Sequence, residues 1–245
     1  MPERAAIRIG TSGWSYRHWK GTFYPPEIPS RQWLAHYAGR LRTVEINHSF
    51  YRLPREETLA GWKATAPRDF LFSVKASRFI THRKKLKDPD RTVPPFLDRI
   101  GALGEKLGPV LFQLPPGWGF DPERLDGFLA ALPARHRYAF ELRDPNWIND
   151  RACAILSDHG AAFCIYEIDG RVSPKEVTAG FVYVRLHGPG KAYRGSYDTG
   201  TLAGWAGAFS SWAAAGRDVF CYFDNDEKGY AAQNALRIDE MIRGG

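Results

Sequence analysis

Ionisable and amide side chains recur at every second position near the ends of several β-like segments. The clearest case is Thr43-Val44-Glu45-Ile46-Asn47, in which polar and apolar residues alternate. Alternate residues of a β-strand point to opposite faces, so each polar series would line one face of its strand. The residues of these series whose side chains could bind a ligand or take part in catalysis are Glu45, Asn47, Lys75, Gln113, Glu141, Arg143, Arg185, His187, Tyr222 and Asp224.

These residue types allow acid–base catalysis. Glu45 and Glu141 can act as general acid and base, or can ligate a divalent metal. His187 falls in the same register and is a further candidate base or ligand. We therefore expect Glu45, Glu141 and His187 to be the catalytic residues. The cofactor is left open between none and a divalent metal, and a multi-zinc centre is disfavoured because such centres recruit several histidines.

The same series also suit the recognition of an anion. Arginine binds phosphate or carboxylate through its bidentate guanidinium, and lysine through its ammonium. Aromatic residues follow several of the strands, beginning with Trp14, and such residues either stack bases and sugar rings or plug the space they line. The predicted substrate-binding residues are Asn47, Lys75, Gln113, Arg143, Arg185, Tyr222, Asp224, Asn225 and Trp14.

Strand-like segments alternate along the chain with segments of helical periodicity. The predicted strands are Ile7–Thr11, Thr43–Asn47, Leu71–Lys75, Val110–Gln113, Tyr138–Leu142, Ala162–Glu167, Phe181–Leu186 and Val219–Phe223. The predicted helices are Arg31–Arg40, Glu56–Ala66, Pro95–Leu107, Pro122–Ala131, Asp150–His159, Leu202–Ala215 and Ala231–Ile242, with room in the sixth unit only for a short helix around Ser173–Val177.

Such alternation predicts parallel strands joined by right-handed crossovers. Eight units in 245 residues predict an α/β protein, a single (β/α)8 TIM barrel with residues 1–245 forming one domain. A doubly wound sheet is disfavoured, because Gly10-Thr11-Ser12-Gly13 lacks the G-x-G-x-x-G spacing. In a barrel the polar series point into the lumen and end at the C-terminal mouth, where barrel enzymes build their sites. The alternative is a self-neutralising network of charges that merely fills the barrel.

Composition limits the class of protein and of partner. The chain is 44% hydrophobic and 25% charged, which excludes a disordered chain or a fibre. It has no apolar run near the roughly 20 residues of a membrane span and no signal-peptide core at its start, so we expect a cytoplasmic protein without membrane contact. The net charge of +7 favours an anionic partner, either a small molecule or nucleic acid. The densest basic stretch contains Arg78, His82, Arg83, Lys84, Lys85, Lys87 and Arg91.

Several motifs, taken in order, resemble the YecE-like family, catalogued as domain of unknown function seventy-two. They are Gly10-Thr11-Ser12-Gly13-Trp14, Val44-Glu45-Ile46-Asn47-His48-Ser49-Phe50-Tyr51, Phe140-Glu141-Leu142-Arg143-Asp144-Pro145-Asn146-Trp147, Arg185-Leu186-His187-Gly188, Tyr222-Phe223-Asp224-Asn225-Asp226 and Ala232-Gln233-Asn234-Ala235. The resemblance implies a TIM barrel with its site at the strand C-termini. It also implies nucleic-acid binding or phosphodiester chemistry, because family barrels are similar to endonuclease-type and sugar-isomerase-type barrels. One departure is Asp224, where the family often has Asn.

We therefore expect an enzyme that acts on a phosphate-bearing or nucleic-acid substrate, either hydrolase-like on phosphoesters or sugar-isomerase-like. The alternative is a non-catalytic barrel that binds nucleic acid or serves regulation. The two differ over the carboxylates, which a pure anion binder should avoid because they repel phosphate. The sequence leaves the substrate and the oligomeric state open.

Overall fold

Eight parallel strands form a nearly closed barrel, which confirms the predicted (β/α)8 fold. The structure is a computed structural model and describes residues 5–244. The barrel strands are β1 (Ile7–Thr11), β2 (Thr43–Ile46), β3 (Leu71–Lys75), β4 (Leu107–Leu114), β5 (Tyr138–Leu142), β6 (Ala162–Ile168), β8 (Phe181–Leu186) and β9 (Asp218–Phe223), with a short β7 (Arg171–Val172) outside the barrel. Their hydrogen-bonded order is β1-β9-β8-β6-β5-β4-β3-β2, and every neighbouring pair in that order is parallel.

Helices follow seven of the eight barrel strands. They are α1 (Trp33–Ala38), α2 (Glu56–Thr65), α3 (Pro89–Thr92), α4 (Pro94–Ile100), α5 (Pro122–Ala130), α6 (Asp150–Asp158), α7 (Thr199–Ala214) and α8 (Tyr230–Gly244). Capping residues begin three of them, since Asp121 accepts from the Arg124 N–H, Asn149 from the Ala152 N–H and Asp198 from the Thr201 N–H. None of the helices within residues 5–244 combines the length and apolarity that a bilayer crossing requires.

Two predicted helices differ from the structure. No helix forms around Ser173–Val177, because the chain instead turns at Asp169-Gly170, both in the left-handed region, and β7 pairs antiparallel with the end of β6. The predicted helix Pro95–Leu107 ends at Ile100 and continues as 3₁₀ turns that Gly104 interrupts, and Leu107 already belongs to β4. The periodicity of the sequence could not predict where the helix ends and β4 begins. That boundary depends on the contacts of Leu107 and Gly108 with Phe72 of β3.

The barrel closes at the seam between β1 and β2. At this seam, hydrogen bonds to a tyrosine side chain take the place of some backbone hydrogen bonds between the two strands. The Tyr37 hydroxyl accepts from the Thr11 N–H at 2.9 Å and donates to the Thr43 carbonyl at 3.0 Å. Gly10 permits this close approach, since a Cβ there would collide with the Thr43 carbonyl oxygen. Beyond Tyr37, the Gly13 N–H donates directly to the Glu45 carbonyl at 2.9 Å. The seam therefore fixes the end of β2 that carries Glu45.

Apolar residues fill the barrel in two separate regions. The larger core lies between the strands and the surrounding helices. A smaller cluster inside the lumen includes Leu111, Phe181, Tyr183, Phe220 and Tyr222. This inner cluster fills the N-terminal half of the lumen and separates the C-terminal mouth from the opposite end, where Arg8 and Arg137 lie over the Phe220 ring.

Substituting Gly10 with alanine should destabilise the protein by about 1–3 kcal/mol, because the added methyl group pushes β1 from β2 at the seam. Urea unfolding followed by circular dichroism measures this change. Gly61→Ala is the matched control: Gly61 lies in exposed α2 with free space around it, so alanine there should stabilise by about 0.5–1 kcal/mol. Equal stability of the Gly10 variant and the parent would contradict the seam as a constraint.

Candidate active site

Arg185 lies at the centre of the mouth, surrounded by carboxylates from three other strands. Its side chain is 1% exposed. Its Nη2 lies 2.8 Å from Glu45 Oε1 and 3.1 Å from Asp224 Oδ2, and its Nη1 lies 2.7 Å from Glu141 Oε2. Burial would lower the pKa of Arg185, but the three carboxylates outweigh it and raise that pKa well above its usual value. The guanidinium is thus a permanent cation that joins β2, β5, β8 and β9.

Glu45 and Glu141 are committed to this network. Both are fully buried. Glu45 also accepts from the Ser12 hydroxyl at 2.8 Å and from the Tyr183 hydroxyl at 2.6 Å. Glu141 forms a second ion pair with Arg143 Nε. Burial opposes ionisation of Glu141, but the Arg143 and Arg185 charges hold its pKa well below the usual range.

The surroundings of His187 determine its tautomer. Its Nε2 faces Arg143 Nη2 at 3.2 Å and Arg185 Nη1 at 3.3 Å. Guanidinium nitrogens can only donate, so Nε2 accepts and the ring carries its proton on Nδ1. Nδ1 lies 3.1 Å from Asp224 Oδ2, although not aligned for a full hydrogen bond. His187 therefore presents its N–H side to Asp224.

Asp224 is the carboxylate of the network that reaches the opening, with its side chain 17% exposed. Burial would raise its pKa, but contact with His187 and the Arg185 charge hold that pKa below its usual value. Its Oδ1 makes no hydrogen bond to any residue between 5 and 244. Asp224 is therefore ionised at neutral pH, with one oxygen available to a ligand.

Lys75, Gln113 and Arg143 come from the C-terminal ends of three neighbouring strands, β3, β4 and β5. Arg143 is 14% exposed, and its Nη1 is not used by the network. The Lys75 ammonium lies 4.6 Å from the centre of the Phe50 ring and forms no ion pair within the described residues. Desolvation, reinforced by Arg185, lowers the pKa of Lys75 to about 8. We call Lys75, Gln113 and Arg143 the cationic arc.

The remaining predicted residues lie elsewhere. Tyr222 is fully buried one layer below the network, where its hydroxyl hydrogen-bonds Thr43 Oγ1 at 2.8 Å. Asn225 lies on the opposite face of its strand end and donates to the Gly195 carbonyl and to Asn234 Oδ1, so it anchors loops. Trp14 and Asn47 line a separate cavity beside the network, between the ends of β1 and β2.

The carboxylates do not fit a metal site. No group of three or more His, Cys, Asp or Glu side chains in residues 5–244 has the arrangement to hold an ion. Glu45, Glu141, His187 and Asp224 do surround one point, but the Arg185 guanidinium occupies it and forms an ion pair with each of the three carboxylates. Arginine remains protonated in proteins, so it does not give way to a metal ion by losing a proton. We therefore assign no divalent metal to these residues.

A family model described as "Protein of unknown function DUF72" matches residues 8–244. The chain belongs to the DUF72 family. A DUF72 structure from Thermotoga maritima MSB8 is 27% identical, with a TM-score of 0.88, and the alignment covers 97% of this chain and 99% of that one. One from Enterococcus faecalis V583 is 21% identical, with a TM-score of 0.82 and coverage of 97% and 95%.

A curated relative extends the comparison. The UPF0759 protein YunF of Bacillus subtilis (strain 168) is 23% identical over 273 aligned residues, which cover 96% of this chain and 94% of that protein. A putative vitamin-B12-independent methionine synthase from Listeria monocytogenes is similar in fold alone, with 10% identity, a TM-score of 0.57 and 99% coverage of both chains. The family and fold are thus shown, and the chemistry has to be argued from the site.

Three residues of this DUF72 protein that lie at or just below the mouth were not among the predicted site residues. Tyr183 supports Glu45 from below, as described above. Asp226 accepts from Trp19 and lies 3.0 Å from His18 Nε2, and burial raises the pKa of Asp226 to about 6. Tyr193 packs edge-on to His187, with 5.5 Å between ring centres. The alternation that selected Asp224 also reaches Asp226, so that signal was present, whereas Tyr193 lies in a loop without periodicity.

The basic stretch of this DUF72 barrel borders the mouth next to the cationic arc. It begins with a π-helical turn at Phe79–Arg83, and Lys85, Leu86 and Asp88 have positive φ. Arg78 lies over the Tyr51 ring and Lys85 over the Trp118 ring, at 5.6 and 5.8 Å from their centres. Lys84 is paired with Asp88 at 2.9 Å. The stretch is thus an exposed, largely cationic rim.

Substitution of Arg185 by methionine should destabilise the protein by about 3–5 kcal/mol at pH 7, because Glu45 loses its cation while it stays buried. The deficit should shrink as the pH falls and the carboxylates left without Arg185 bind protons. In the parent, whose Glu141 and Asp224 have lowered pKa values, stability should instead be lost as the pH falls below their ordinary values. Chemical unfolding at several pH values measures both trends.

Arg151→Met is the control for that experiment, since Arg151 forms an exposed pair with Glu123 and its loss should change stability little. A pH-independent deficit in the Arg185 variant would contradict charge pairing as the cause.

Proposed function

We propose that the protein is an enzyme that acts on a small phosphate-bearing substrate and transfers a proton at the mouth of the barrel. The observation that carries this proposal is the Lys75 ammonium, which is half-buried, forms no ion pair within residues 5–244, and lies at the same end of the barrel as the unused Nη1 of Arg143. A partly desolvated cation that contacts no carboxylate is stabilised by an anionic ligand. The phosphate would lie against the cationic arc.

The placement of the charges at the mouth supports an anion at this position, although the three cations Lys75, Arg143 and Arg185 are matched in number by three carboxylates. The carboxylates of Glu45, Glu141 and Asp224 are oriented by Arg185 and lie around the centre of the lumen. The cationic arc is displaced from that centre, toward β3, β4 and β5. A phosphate on the arc is therefore held by Lys75 and Arg143, and the carboxylates nearest to it are already neutralised by arginine.

In this proposal, proton transfer is assigned to residues other than Glu45, Glu141 and His187, which the sequence predicted to be catalytic. Glu45 and Glu141 are fully buried and bound by arginine, and His187 accepts from two arginines, so in this proposal these three position the site. Lys75 has a pKa of about 8, and a pKa near the working pH suits a proton-transfer group. The Lys75 ammonium is the proton donor, and Asp224 is the carboxylate available to accept a proton.

Two reaction classes use such a donor. In phosphoester hydrolysis, water forms a bond to phosphorus and gives a proton to a base, here Asp224, while the bond from phosphorus to the leaving oxygen breaks and that oxygen takes up a proton from the donor. In the isomerisation of a sugar phosphate, the carbonyl oxygen becomes negative when a base removes the neighbouring C–H proton. Both reactions develop charge on an oxygen, and a positioned ammonium stabilises it.

Lys75→Arg should separate binding from proton transfer. Arginine keeps the positive charge but does not release a proton near neutral pH, so kcat should fall by about 10²–10⁴-fold while KM stays within a few-fold. The parent should be active while Lys75 is an ammonium and should lose activity as the pH rises through about 8. Steady-state kinetics over pH 6–10, on a panel of phosphomonoesters, phosphodiesters and sugar phosphates, measures these effects.

Lys20→Met, at an exposed lysine outside the cationic arc, is the control and should match the parent. Lys75→Met should lose substrate affinity as well as turnover. A Lys75→Arg variant with full kcat would remove Lys75 from proton transfer, and the same panel applied to Glu141→Gln tests the buried carboxylate.

The basic rim favours a second candidate, a barrel that binds nucleic acid without catalysis. Arg83, Lys85, Lys87 and Arg91 are exposed on the rim and form no ion pair within the described residues. Arg78 and Lys85 lie over aromatic rings that bases could also stack on. The described elements include no recognition helix or zinc finger that would read base edges, so such binding would be electrostatic and non-specific.

Binding of duplex DNA through this rim should weaken steeply with salt. If four cations contact phosphates, the plot of log affinity against log salt concentration should have a slope of about −3 to −4. Substituting Lys85 and Lys87 by alanine should reduce the slope by about two at most, while Lys84, already paired with Asp88, serves as the control. Fluorescence anisotropy at several salt concentrations gives the slope, and a value near zero would rule out this second candidate.

A further inference from the structure

A cavity of about 460 Å³ opens at the mouth between the ends of β1 and β2, beside the charged network. Aromatic side chains form most of its wall: Trp14, Tyr16, Tyr51 and Trp62. Ser15, Asn47 and His48 are the polar side chains of its lining besides these aromatic ones. Its size lies within the usual range for small-molecule sites, and an apolar wall with a few polar groups is typical of them.

The Asn47 amide is unpartnered in this cavity. Its Oδ1 is buried and accepts no hydrogen bond, and its Nδ2 donates none within the described residues. A buried acceptor without a partner is unfavourable by about 1–3 kcal/mol. Asn47 lines the cavity, and rotation of its carboxamide to turn Oδ1 into the cavity would let both amide groups pair with a flat ring that presents a donor next to an acceptor on one edge.

The wall around Asn47 is held in place by specific contacts. Trp14 packs edge-on against Trp62, with 4.7 Å between ring centres. The Tyr16 hydroxyl donates to the Ser12 carbonyl at 2.6 Å. It lies directly over Gly13, where φ is +92° and a Cβ would come within 2.6 Å of that hydroxyl. A preformed aromatic wall lowers the entropy lost when a flat ring binds.

The cavity adjoins the cationic arc through two rings of the loop after β2. The Lys75 ammonium lies over Phe50, Phe50 packs edge-on to Tyr51 at 5.0 Å, and Tyr51 lines the cavity. One small molecule that carries both a ring and an anionic group could therefore occupy the cavity and the arc together.

We propose that the cavity is a ring subsite and that the substrate class is a nucleoside monophosphate. An aromatic heterocycle packs between Trp14, Tyr16 and Trp62 and pairs its donor–acceptor edge with Asn47. The phosphate lies on the cationic arc, and this part rests on the proposed function. The ribose spans the segment between the two, above Phe50 and Tyr51.

Three probes separate the two parts of this inference. Adenosine 5′-monophosphate carries ring and phosphate, ribose 5-phosphate carries only the phosphate, and adenosine carries only the ring. Isothermal titration calorimetry on the parent should show adenosine 5′-monophosphate binding at least about tenfold more tightly than ribose 5-phosphate. Asn47→Leu should remove about tenfold from the affinity for adenosine 5′-monophosphate and leave that for ribose 5-phosphate within twofold. Asn146→Leu, at an exposed asparagine outside the cavity, is the matched control and should bind all three probes as the parent does.

Equal affinities of the parent for adenosine 5′-monophosphate and ribose 5-phosphate would overturn the ring subsite and leave the phosphate site standing. The same holds if Asn47→Leu binds adenosine 5′-monophosphate as tightly as the parent. Binding of adenosine that Asn47→Leu weakens, with no binding of ribose 5-phosphate, would support the ring subsite and overturn the phosphate part of the proposed function. Failure of all three probes to bind would overturn the inference as a whole.

Discussion

The arrangement of side chains at the mouth depends on the ion pairs of Arg185 with Glu45 and Glu141. All three side chains are buried almost completely. Each charge is tolerated only because the others are present, since an uncompensated buried charge is strongly destabilising. The partners come from β2, β5 and β8, so the pairs exist together only when the barrel has closed. The network thus links the geometry of the mouth to the completion of the fold.

This network also decides which groups remain reactive. Because Arg185 and Arg143 hold Glu141 in its ionised form, that carboxylate has little tendency to bind a proton near neutral pH. The same guanidinium takes the place that a metal ion would need among the carboxylates. What remains free is at the edge of the network: the Lys75 ammonium, the outer side of Arg143 and one oxygen of Asp224. The groups that remain available to a ligand therefore lie at the edge of the charged network and not at the centre of the lumen.

The mouth divides into three sectors that follow the order of the strands. The ends of β1 and β2 supply the aromatic cavity and the Asn47 amide. The ends of β3, β4 and β5 supply the cationic arc, and the ends of β8 and β9 supply His187 and Asp224. Neighbouring sectors touch, as the contact of Lys75 with Phe50 shows. A ligand that bridges them would meet a ring site, an anion site and a carboxylate in turn.

The barrel and the residues that face its lumen could be predicted from local sequence patterns. Alternation along a strand depends only on the backbone, so the lumen faces of Glu45, Glu141 and Arg185 could be predicted from local pattern. The eight strands and most of their bounds could be predicted for the same reason, together with the helix starts at Asp121 and Asn149. Local pattern failed at the sixth unit, where the turn at Asp169-Gly170 pairs β7 with β6 in place of the expected helix.

Which of the lumen-facing side chains reach the opening and lack an ion-pair partner depends on the tertiary structure. Tyr222 and Asp224 share a face, but two residues along a strand are about 6–7 Å apart, so the first is buried below the network and the second reaches the opening. Glu45 and Arg185 are 140 residues apart in the sequence. No local pattern shows that the Glu45 carboxylate is ion-paired and therefore unavailable to a ligand. Lys75 is left without a partner by the same arrangement. Hydrophobic periodicity is a property of each strand alone, whereas the pairing of charges depends on distances between strands, which exist only after the barrel has closed.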